Sequence, residues 1–318
     1  MLGQQMEAEI RQQPSVLSAN APRYAEELAK VAAAGPFEMV LLAARGSSDN
    51  AALYGRYLLE IFCGVPVSLA APSVLTRFKA RVRYPKCLAV GISQSGAAPD
   101  VAEVLGSLRQ AGHTTLAITN TEGSRLTQTA EHSLLLGVGA EKAVAATKTY
   151  SASLLAMLEL TRALGGAVAP SDGNLPTDEW VDAALTSARE QVGFLLRSPI
   201  LFTLARGFGF CTAHETALKL MECALLPCKS YSTADFEHGP KALATHGTAA
   251  IVYGESVTNL QAQGCRVLRA PDMPDDVPEV LGPIWQIVFG QWLALLAARA
   301  RALDPDQPPF LSKVTETV

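Results

Sequence analysis

The chain alternates short apolar runs with longer segments in which apolar residues recur at helical spacing. The clearest apolar runs are Met39 to Ala44, Leu88 to Ile92, Thr115 to Ile118 and Ala249 to Tyr253. A strand that is buried on both faces is continuously apolar, because neither side of it meets water. The pattern therefore predicts an α/β fold in which parallel sheets are covered by helices on both faces.

Part of this pattern occurs twice along the chain. The segment Leu204-Ala205-Arg206-Gly207 repeats Ala43-Ala44-Arg45-Gly46. At the same distance after each of these segments comes an apolar residue and a proline, Val65-Pro66 in the first case and Leu226-Pro227 in the second. Further on, Gly264 to Ala270 corresponds to Gly112 to Ile118. A repeat of this length predicts two domains of one fold. We expect a helical lead over residues 1–36, a first αβα domain over 37–175 and a second over 176–318, which includes a C-terminal helix and tail.

The two ends of the chain carry further helical patterns. Two helices are expected before the first strand, broken near Pro14 and Pro22, with the second running from Pro22 to Ala34. The segment from Val280 to about Ala302 is apolar nearly all round, so every side of that helix must be covered. It packs either between domains or subunits, or as a central core helix. The tail from Asp304 to Val318 carries three prolines and is expected to be irregular.

Composition excludes several classes of protein. Charged residues make up 18% of the chain and the net charge is -4, without a long basic run, so neither nucleic acid nor an anionic membrane is expected as the main partner. We found no apolar stretch of about 20 residues and no signal sequence at the start, and therefore expect a cytoplasmic protein. The six cysteines and five histidines show no metal-ligand spacing, so no metal is predicted.

One turn carries candidate chemistry. Ser93-Gln94-Ser95-Gly96 follows the strand Leu88 to Ile92 and precedes a helical pattern from Asp100 to Gln110. Helix N-terminal amides, two hydroxyls and one side-chain amide could together hold an anion. Because the turn has no cation, it suits a singly esterified phosphate. A polar turn with helix-capping serines is the alternative. A G-x-S-x-G nucleophile elbow is disfavoured, because Ser95 stands where that motif has glycine.

Four segments, in this order, give a resemblance to a known family. They are Ser93-Gln94-Ser95-Gly96, Glu141 to Lys148, Ala217 to Glu222 and Glu237-His238-Gly239-Pro240. The chain resembles the sugar isomerase (SIS) domain family, and most closely the isomerase half of glucosamine-6-phosphate synthases, over nearly its whole length. The resemblance implies two parallel αβα sandwiches related by duplication.

The resemblance also implies roles for particular residues. Those expected to hold the substrate are Ser93, Gln94 and Ser95 at the phosphate, and Ser47, Ser48 and the backbone near Val144 and Ala146 at the sugar. Those expected to act in catalysis are Glu222 as the acid/base between C1 and C2, Lys219 beside it, His238 for ring opening and Lys313 at the open-chain carbonyl. In the family the histidine reaches the site from a neighbouring subunit, which implies a homodimer. No cofactor is expected.

The residues themselves leave alternatives for some of these roles. An enediol intermediate needs a carboxylate to move the proton and donors or cations to stabilise the oxyanion. Lys219 and Glu222 lie three apart on one helix, and spacing alone favours a surface ion pair, although the apolar neighbours indicate burial. Glu215 is equally well explained as the partner of Lys219, and His238 as a helix cap.

The sequence departs from the synthase pattern at several positions. Ala98 stands where the phosphate turn of the synthases has threonine, Ala146 where they have serine, and Arg45 where they have cysteine. Arg45 and Arg206 could simply pair with acidic groups across a domain interface. The ending around Lys313 matches only loosely.

Three functions follow as hypotheses: an aminosugar-phosphate deaminase or isomerase, an ammonia-using synthase-like enzyme, and a non-catalytic sugar-phosphate sensor. About 36 residues precede the first domain and no cysteine stands at position 2, so we expect no glutaminase half. Retention of Lys219, Glu222 and His238 favours an enzyme. The favoured expectation is a glucosamine-6-phosphate deaminase/isomerase that gives fructose 6-phosphate and ammonia. The alternatives are a plain phosphosugar isomerase, an ammonia-dependent aminotransferase-like enzyme and a non-catalytic sensor.

Overall fold

A computed structural model describes residues 1–255 and 257–313. Within this part of the chain the α-helices are α1 (Gln4–Arg11), α2 (Gln13–Ala32), α3 (Ser47–Leu58), α4 (Pro72–Thr76), α5 (Pro99–Gln110), α6 (Arg125–Thr129), α7 (Lys148–Ala163), α8 (Asp178–Leu196), α9 (Phe210–Ala224), α10 (Thr233–Glu237) and α11 (Gly282–Ala300). The strands are β1 (Met39–Ala43), β2 (Val67–Leu69), β3 (Cys87–Ile92), β4 (Thr114–Thr119), β5 (His132–Leu135), β6 (Ile200–Ala205), β7 (Cys228–Ser232), β8 (Thr248–Val252) and β9 (Arg266–Arg269).

The first sheet has five parallel strands in the order β2-β1-β3-β4-β5. Every residue of β1 and β3 is buried, as expected for strands covered on both faces. Leu41, Ala89 and Ala117 on one face pack against Val101 and Leu105 of α5. Helices α3 and α7 pack against each other in the same unit. The predicted parallel α/β architecture is confirmed for this half.

The second sheet has four parallel strands in the order β7-β6-β8-β9. This is the order β2-β1-β3-β4 of the first sheet, with β6 in the place of β1 and β8 in the place of β3. The repeated Arg-Gly pairs lie directly after β1 and β6, and the repeated glycines Gly112 and Gly264 lie just before β4 and β9. The predicted duplication into tandem αβα domains is therefore confirmed.

The chain forms two compact units that interleave along the sequence. The four-stranded unit comprises Met1–Pro14, Glu141–Thr147 and Asn174–Lys313, and the five-stranded unit contains Ser15–Ala140 and Lys148–Gly173. The predicted domains 1–36, 37–175 and 176–318 are each one continuous range, whereas each compact unit combines separate segments of the chain. The difference arises because α1 packs on α11 and α8, while Glu9 of α1 binds the segment Glu141–Thr147.

The amino-terminal helices differ from the prediction. Helix α2 starts at Gln13 and continues through Pro22 to Ala32, so Pro22 does not end a helix. A proline inside a helix removes one backbone hydrogen bond. Here the apolar positions Leu17, Tyr24 and Leu28 are fully buried on either side of it, and their packing offsets that loss.

Helix α11 is a core helix of the four-stranded unit. It packs against α8 and α9, and at Gly290 an added Cβ would come within 2.2 Å of Thr216 Oγ1 on α9. The segment Glu279–Ala300 is long and apolar enough to cross a membrane, contrary to our expectation of no such stretch. Within this chain, 89% of its most apolar 18-residue stretch is buried, as is typical of a core helix. Covering this helix therefore requires no second subunit.

Candidate functional site

The candidate phosphate turn lies at the carboxyl edge of the five-stranded sheet. Strands β1 and β3 are neighbours, with Ala43 aligned to Gly91, so the loops that follow them emerge side by side. One loop carries Arg45 and the serines of α3, and the other is the Ser93 turn, residues Ser93 to Ala98. Ligands of open parallel sheets bind at this edge.

The two serines of the turn act as acceptors inside it. Ser93 Oγ accepts the Gly96 N–H at 3.2 Å, and Ser95 Oγ accepts the Ala97 N–H at 3.3 Å. A hydroxyl oxygen that accepts such a bond still has its own hydrogen to donate. The helix-capping alternative is wrong, because the serines bond amides inside the turn while α5 has Ala98 as its N-cap and no side-chain cap. The hydroxyl hydrogens therefore remain for the anion-binding interpretation. Gln94 is fixed through its carbonyl, which accepts from the Asn120 N–H at 3.0 Å, and its side chain is half-buried.

Gly96 is required by the shape of this turn. Its φ of +64° lies in the left-handed region, and a Cβ there would come within 2.2 Å of Ser124 Oγ. The turn therefore passes so close to the start of α6 that no side chain fits. This close approach holds the two serines in a fixed arrangement.

The start of α5 contributes less to anion binding than the sequence suggested. The helix begins at Pro99, which has no N–H, and the Val101 N–H is bound by Asp100 Oδ1 at 2.8 Å. Asp100 is only 2% exposed and already supplies a negative charge at this helix terminus. A phosphate would rely mainly on the hydroxyls and amides of the Ser93 turn.

Arg45 pairs with that buried carboxylate. Its Nε and Nη2 both lie 2.7 Å from Asp100 Oδ2, while 54% of its side chain stays exposed. The pair is within the five-stranded unit, so the suggestion of a partner across a domain interface is wrong for Arg45. It brings a cation beside a turn that has none of its own. Sequence reasoning missed this arrangement, since the two residues lie far apart along the chain.

Ser47 and Ser48 are the first two residues of α3 and are half-buried. The Ser48 N–H donates to Arg45 O at 3.1 Å, and Gly46 before them has a φ of +56°. A sharp turn thus separates β1 from α3 and leaves the serines at the helix start, at the edge that holds the Ser93 turn. All five substrate-binding side chains predicted by resemblance lie in the five-stranded unit.

The candidate acid/base residues lie on α9 of the four-stranded unit. Lys219 is 1% exposed, and its Nζ lies 2.5 Å from Glu222 Oε2 and 3.4 Å from Glu215 Oε1. Glu215 is fully buried, whereas 27% of the Glu222 side chain is exposed. The ion pair suggested by spacing exists, but it is buried instead of lying on the surface. Glu215 is the second partner of the lysine, as the alternative for it predicted.

Two carboxylates keep Lys219 charged. Burial by itself lowers the pKa of Lys219, but the carboxylates of Glu215 and Glu222 more than offset this and hold its pKa above the usual range. Lys219 is therefore suited to stabilise developing negative charge and to fix Glu222, not to accept a proton. Glu222 is the only member of this trio with substantial access to solvent, so it is the group that could exchange a proton with a ligand.

His238 lies at the C-terminal cap of α10, and its N–H donates to Asp235 O at 3.1 Å. This is the capping role that the alternative predicted. Its side chain is exposed, and within residues 1–255 and 257–313 no hydrogen bond joins it to Lys219 or Glu222. The proposed contribution of His238 to a neighbouring subunit stays a prediction.

Lys313 binds the segment that contains Val144 and Ala146. Its Nζ donates to Glu141 Oε2 at 3.1 Å and to Ala143 O at 2.5 Å. Val144 and Ala146 are half-buried, and the Val144 N–H donates to Asp306 O at 3.3 Å. The structure thus brings Lys313 to this segment, although the sequence around it matches the family only loosely.

The tail that carries Lys313 is irregular up to that residue, as expected, but it is fixed to α1. Asp306 accepts the N–H groups of Gln5 at 2.9 Å and Met6 at 2.8 Å, and Asp304 accepts the Gly3 N–H at 2.9 Å. Carboxylates at a helix N-terminus bond its free amides and complement its dipole. These contacts join the start of the chain to its tail. Residues 314–318 lie outside the described residues.

The corresponding edge of the four-stranded unit differs from the Ser93 turn. Strand β8 is followed by Tyr253-Gly254-Glu255 where β3 is followed by two serines and a glutamine. Arg206 lines a cavity of about 160 Å³ there with Glu255 and Glu279. A small cavity with acidic groups does not suit a phosphate. Within residues 1–255 and 257–313, no group of three or more His, Cys, Asp or Glu is arranged to hold a metal ion.

Comparisons with known proteins agree with this architecture. Residues 38–162 match the SIS domain family. The chain is 32% identical over 337 residues to a glutamine–fructose-6-phosphate aminotransferase (isomerizing) from Methanothermobacter thermautotrophicus, an alignment that covers 96% of this chain and 56% of that protein. The chain thus spans about half the length of the curated relatives it matches.

Two solved structures extend the comparison. A glucosamine-6-phosphate deaminase from Thermotoga maritima superposes with a TM-score of 0.84 and 25% identity, covering 98% of this chain and 100% of that one. The C-terminal domain of glucosamine-fructose-6-phosphate aminotransferase from Francisella tularensis superposes with a TM-score of 0.80 and 22% identity, covering 95% and 98%. Residues 38–162 thus form a SIS domain, and the chain resembles the isomerase half of glutamine–fructose-6-phosphate aminotransferases over about 96% of its length.

Proposed function

We propose that this protein is a phosphosugar-metabolising enzyme that deaminates a hexosamine 6-phosphate, with glucosamine 6-phosphate as the substrate and fructose 6-phosphate and ammonia as the products. The observation that carries the proposal is the trio on α9, in which a buried, charged Lys219 holds the partly exposed carboxylate of Glu222. The match to the Thermotoga maritima deaminase, which extends over all of that chain, supports the choice of reaction.

The chemistry needs one proton moved between neighbouring carbons. After ring opening, Glu222 takes the proton from C2 of the open-chain aminosugar, which gives an enolamine, and returns it to C1. The resulting C2 imine reacts with water to give the ketose and ammonia, so one water is consumed for each ammonia released. The Lys219 ammonium stabilises the negative charge that develops on the sugar oxygen.

The remaining residues have supporting roles in this proposal. The Ser93 turn holds the phosphate, so the reacting carbons are oriented by the far end of the substrate. Ser47, Ser48 and the segment with Val144 and Ala146 bind the sugar hydroxyls. His238 assists ring opening, and Lys313 contacts the open-chain carbonyl.

An assay of ammonia release tests the function directly. Purified protein is expected to release ammonia and fructose 6-phosphate in equal amounts from glucosamine 6-phosphate, measured by two coupled-enzyme assays on the same sample. Interconversion of glucose and fructose 6-phosphates without ammonia release would instead support a plain isomerase. Net synthesis of glucosamine 6-phosphate from fructose 6-phosphate and ammonium would support the synthase-like alternative, and binding without turnover a sensor.

We further propose a homodimer in which His238 serves the site of the neighbouring subunit, since its side chain is exposed on its own chain. Mixed dimers of a His238→Ala chain and a Glu222→Gln chain would then contain one site with both groups intact. Activity at about half the rate of the wild-type dimer is expected, because a two-fold dimer has two equivalent sites. Differently tagged chains would be co-purified and assayed. Mixed dimers as inactive as either parent would show that both groups come from one chain.

A further inference from the structure

The five-stranded unit contains a cavity of about 880 Å³ that the proposed function does not use. It lies between α4, the segment 80–84 and the C-terminal half of α5. Its lining includes Tyr84 and His113, which come just before β3 and β4, so the cavity extends to the amino edge of the sheet. The Ser93 turn lies at the opposite, carboxyl edge. We call this space the Arg81 cavity. Its volume is within the range of small-molecule sites, about 300 to 1,000 Å³.

The base of the Arg81 cavity is apolar and reaches the protein core. Leu41 of β1 is 1% exposed, and it nevertheless lines the cavity. Leu75 of α4 and Tyr84 pack against the same core cluster as Leu41 but stay half-buried. Protein interiors are usually close-packed, so an opening that reaches a central strand leaves apolar side chains without neighbours. A ligand with an apolar body would supply those neighbours.

The mouth of the Arg81 cavity is basic. Arg81 and Arg83 line it and are exposed, and His113 lines it half-buried. The imidazole of His113 lies edge-on to the Tyr84 ring, with 6.4 Å between the ring centroids. Among the described residues, no aspartate or glutamate lines the cavity. The mouth therefore carries positive charge that the lining itself does not balance.

The two arginines also lack partners elsewhere in the unit. Within residues 1–255 and 257–313, neither the Arg81 nor the Arg83 side chain makes a hydrogen bond or an ion pair. The carboxylate of Glu103 on α5 is already bound by Lys79 at 3.3 Å. Like charges at one cavity repel each other, and an anion between them removes that repulsion. Guanidinium groups bind carboxylate and phosphate oxygens through paired N–H donors.

We propose that the Arg81 cavity binds a small organic anion that has an apolar body and one acidic head group. The apolar body fills the base against Leu41, Val74 and Leu75, and Arg81 and Arg83 bind the head group at the mouth. A sugar phosphate is not such a ligand, because its hydroxyls would lose water against an apolar base. The site is therefore separate from the Ser93 turn, and it depends on the five-stranded unit alone, whatever reaction the protein catalyses.

Fluorescence titration with 8-anilinonaphthalene-1-sulfonate tests the proposal, since this probe joins an aromatic body to one sulfonate. The wild-type protein is expected to bind one probe per chain. Decanoate, an apolar chain with a carboxylate, should displace the probe, whereas fructose 6-phosphate should not. Displacement by fructose 6-phosphate would assign the probe to the Ser93 turn and overturn the proposal, as would absence of binding by the wild-type protein.

An Arg81→Gln/Arg83→Gln variant tests the head-group contacts. Its affinity for 8-anilinonaphthalene-1-sulfonate should fall about 10- to 100-fold, since hydrogen bonds to a charged group are lost. Its affinity for N-phenyl-1-naphthylamine, the same aromatic body without the sulfonate, should change less than twofold. The fold should persist, because both side chains are exposed and bind no other residue in the described part of the chain. If the double variant does not fold, the two single variants give the same comparison.

The matched control for charge is Arg77→Gln/Lys86→Gln, which removes two positive charges close to the same segment. Arg77 lies over the Phe78 ring and Lys86 over the Phe37 ring, and neither lines the cavity. The affinity of this control for the sulfonate probe should change less than twofold. A loss as large as that in Arg81→Gln/Arg83→Gln would show general charge attraction and overturn the proposal.

A Val74→Trp variant tests the apolar base with both arginines intact. Val74 is half-buried on α4 and lines the cavity, so an indole there occupies part of the space that the ligand needs. Both probes should then bind at least tenfold more weakly, while the Tm confirms a folded protein. Unchanged affinity for both probes in folded Val74→Trp would contradict the location. Equal affinity for the sulfonate probe in wild type and folded Arg81→Gln/Arg83→Gln would contradict the head-group contacts.

Discussion

A Glu222→Gln variant is expected to bind glucosamine 6-phosphate normally and to turn it over about 10² to 10⁴ times more slowly, the range typical of a lost general acid/base. Glutamine keeps an oxygen that can accept from Lys219 Nζ, and Glu215 still balances the lysine charge at 3.4 Å, so the fold should persist. The rate of ammonia release and the Kd from calorimetry measure the two effects separately.

A matched control for that variant is Glu190→Gln, an exposed position on α8 in the same unit. It should change kcat by less than twofold, since neutralising an exposed glutamate away from the α9 trio leaves the reacting groups in place. Turnover by Glu222→Gln within about threefold of wild type would rule out Glu222 as the group that moves the proton, because a lost acid/base group costs far more.

A Ser93→Ala/Ser95→Ala variant is expected to weaken sugar-phosphate binding by about 10²- to 10⁴-fold, since each hydrogen bond to a charged group contributes roughly 1.5 to 3 kcal/mol. The KM should rise accordingly while kcat at saturation changes much less. Calorimetry with fructose 6-phosphate measures the affinity without turnover.

The serines also accept the Gly96 and Ala97 N–H groups, so the Tm of the double variant must be measured alongside its affinity. Ser107→Ala on α5, a half-buried serine outside the turn, is the control for loss of a hydroxyl from this unit. An affinity equal to that of wild type in a folded double variant would show that the phosphate is held elsewhere.

The sequence predicted the sheets well because a strand that is buried on both faces is a continuous apolar run, which can be recognised from neighbouring residues alone. Continuous apolar runs identified β1, β3, β4 and β8 to within one residue at each end. The repeated Arg-Gly pair indicated two domains of one fold, which the shared strand order of the two sheets confirms. The Pro22 break was wrong because local propensity was outweighed by the packing of Leu17, Tyr24 and Leu28. Tertiary packing was also needed to interpret α11. Its apolar composition required cover on all sides but did not indicate which elements provide it.

The sequence also identified those parts of the candidate site whose residues are close neighbours along the chain. The Ser93 turn and the α9 trio each lie within a few residues, so strand, turn and helix geometry brings their side chains together. Resemblance then gave these groups their roles. The apolar neighbours of Lys219 indicated its burial, and spacing indicated Glu215 and Glu222 as its partners. Only the structure showed that α11 supplies the cover over α9.

The amino-acid sequence by itself thus determined the α/β class, the duplication and the chemistry-bearing turn and helix, because all of these follow from periodicity and neighbouring residues. The tertiary structure decided the partners of the charges. Arg45 finds Asp100, Glu9 binds the Lys142 and Ala143 backbone, and Lys313 finds Glu141, each across a large sequence separation. Such pairs form only after loops are closed and charges are withdrawn from water, and both conditions depend on the whole fold.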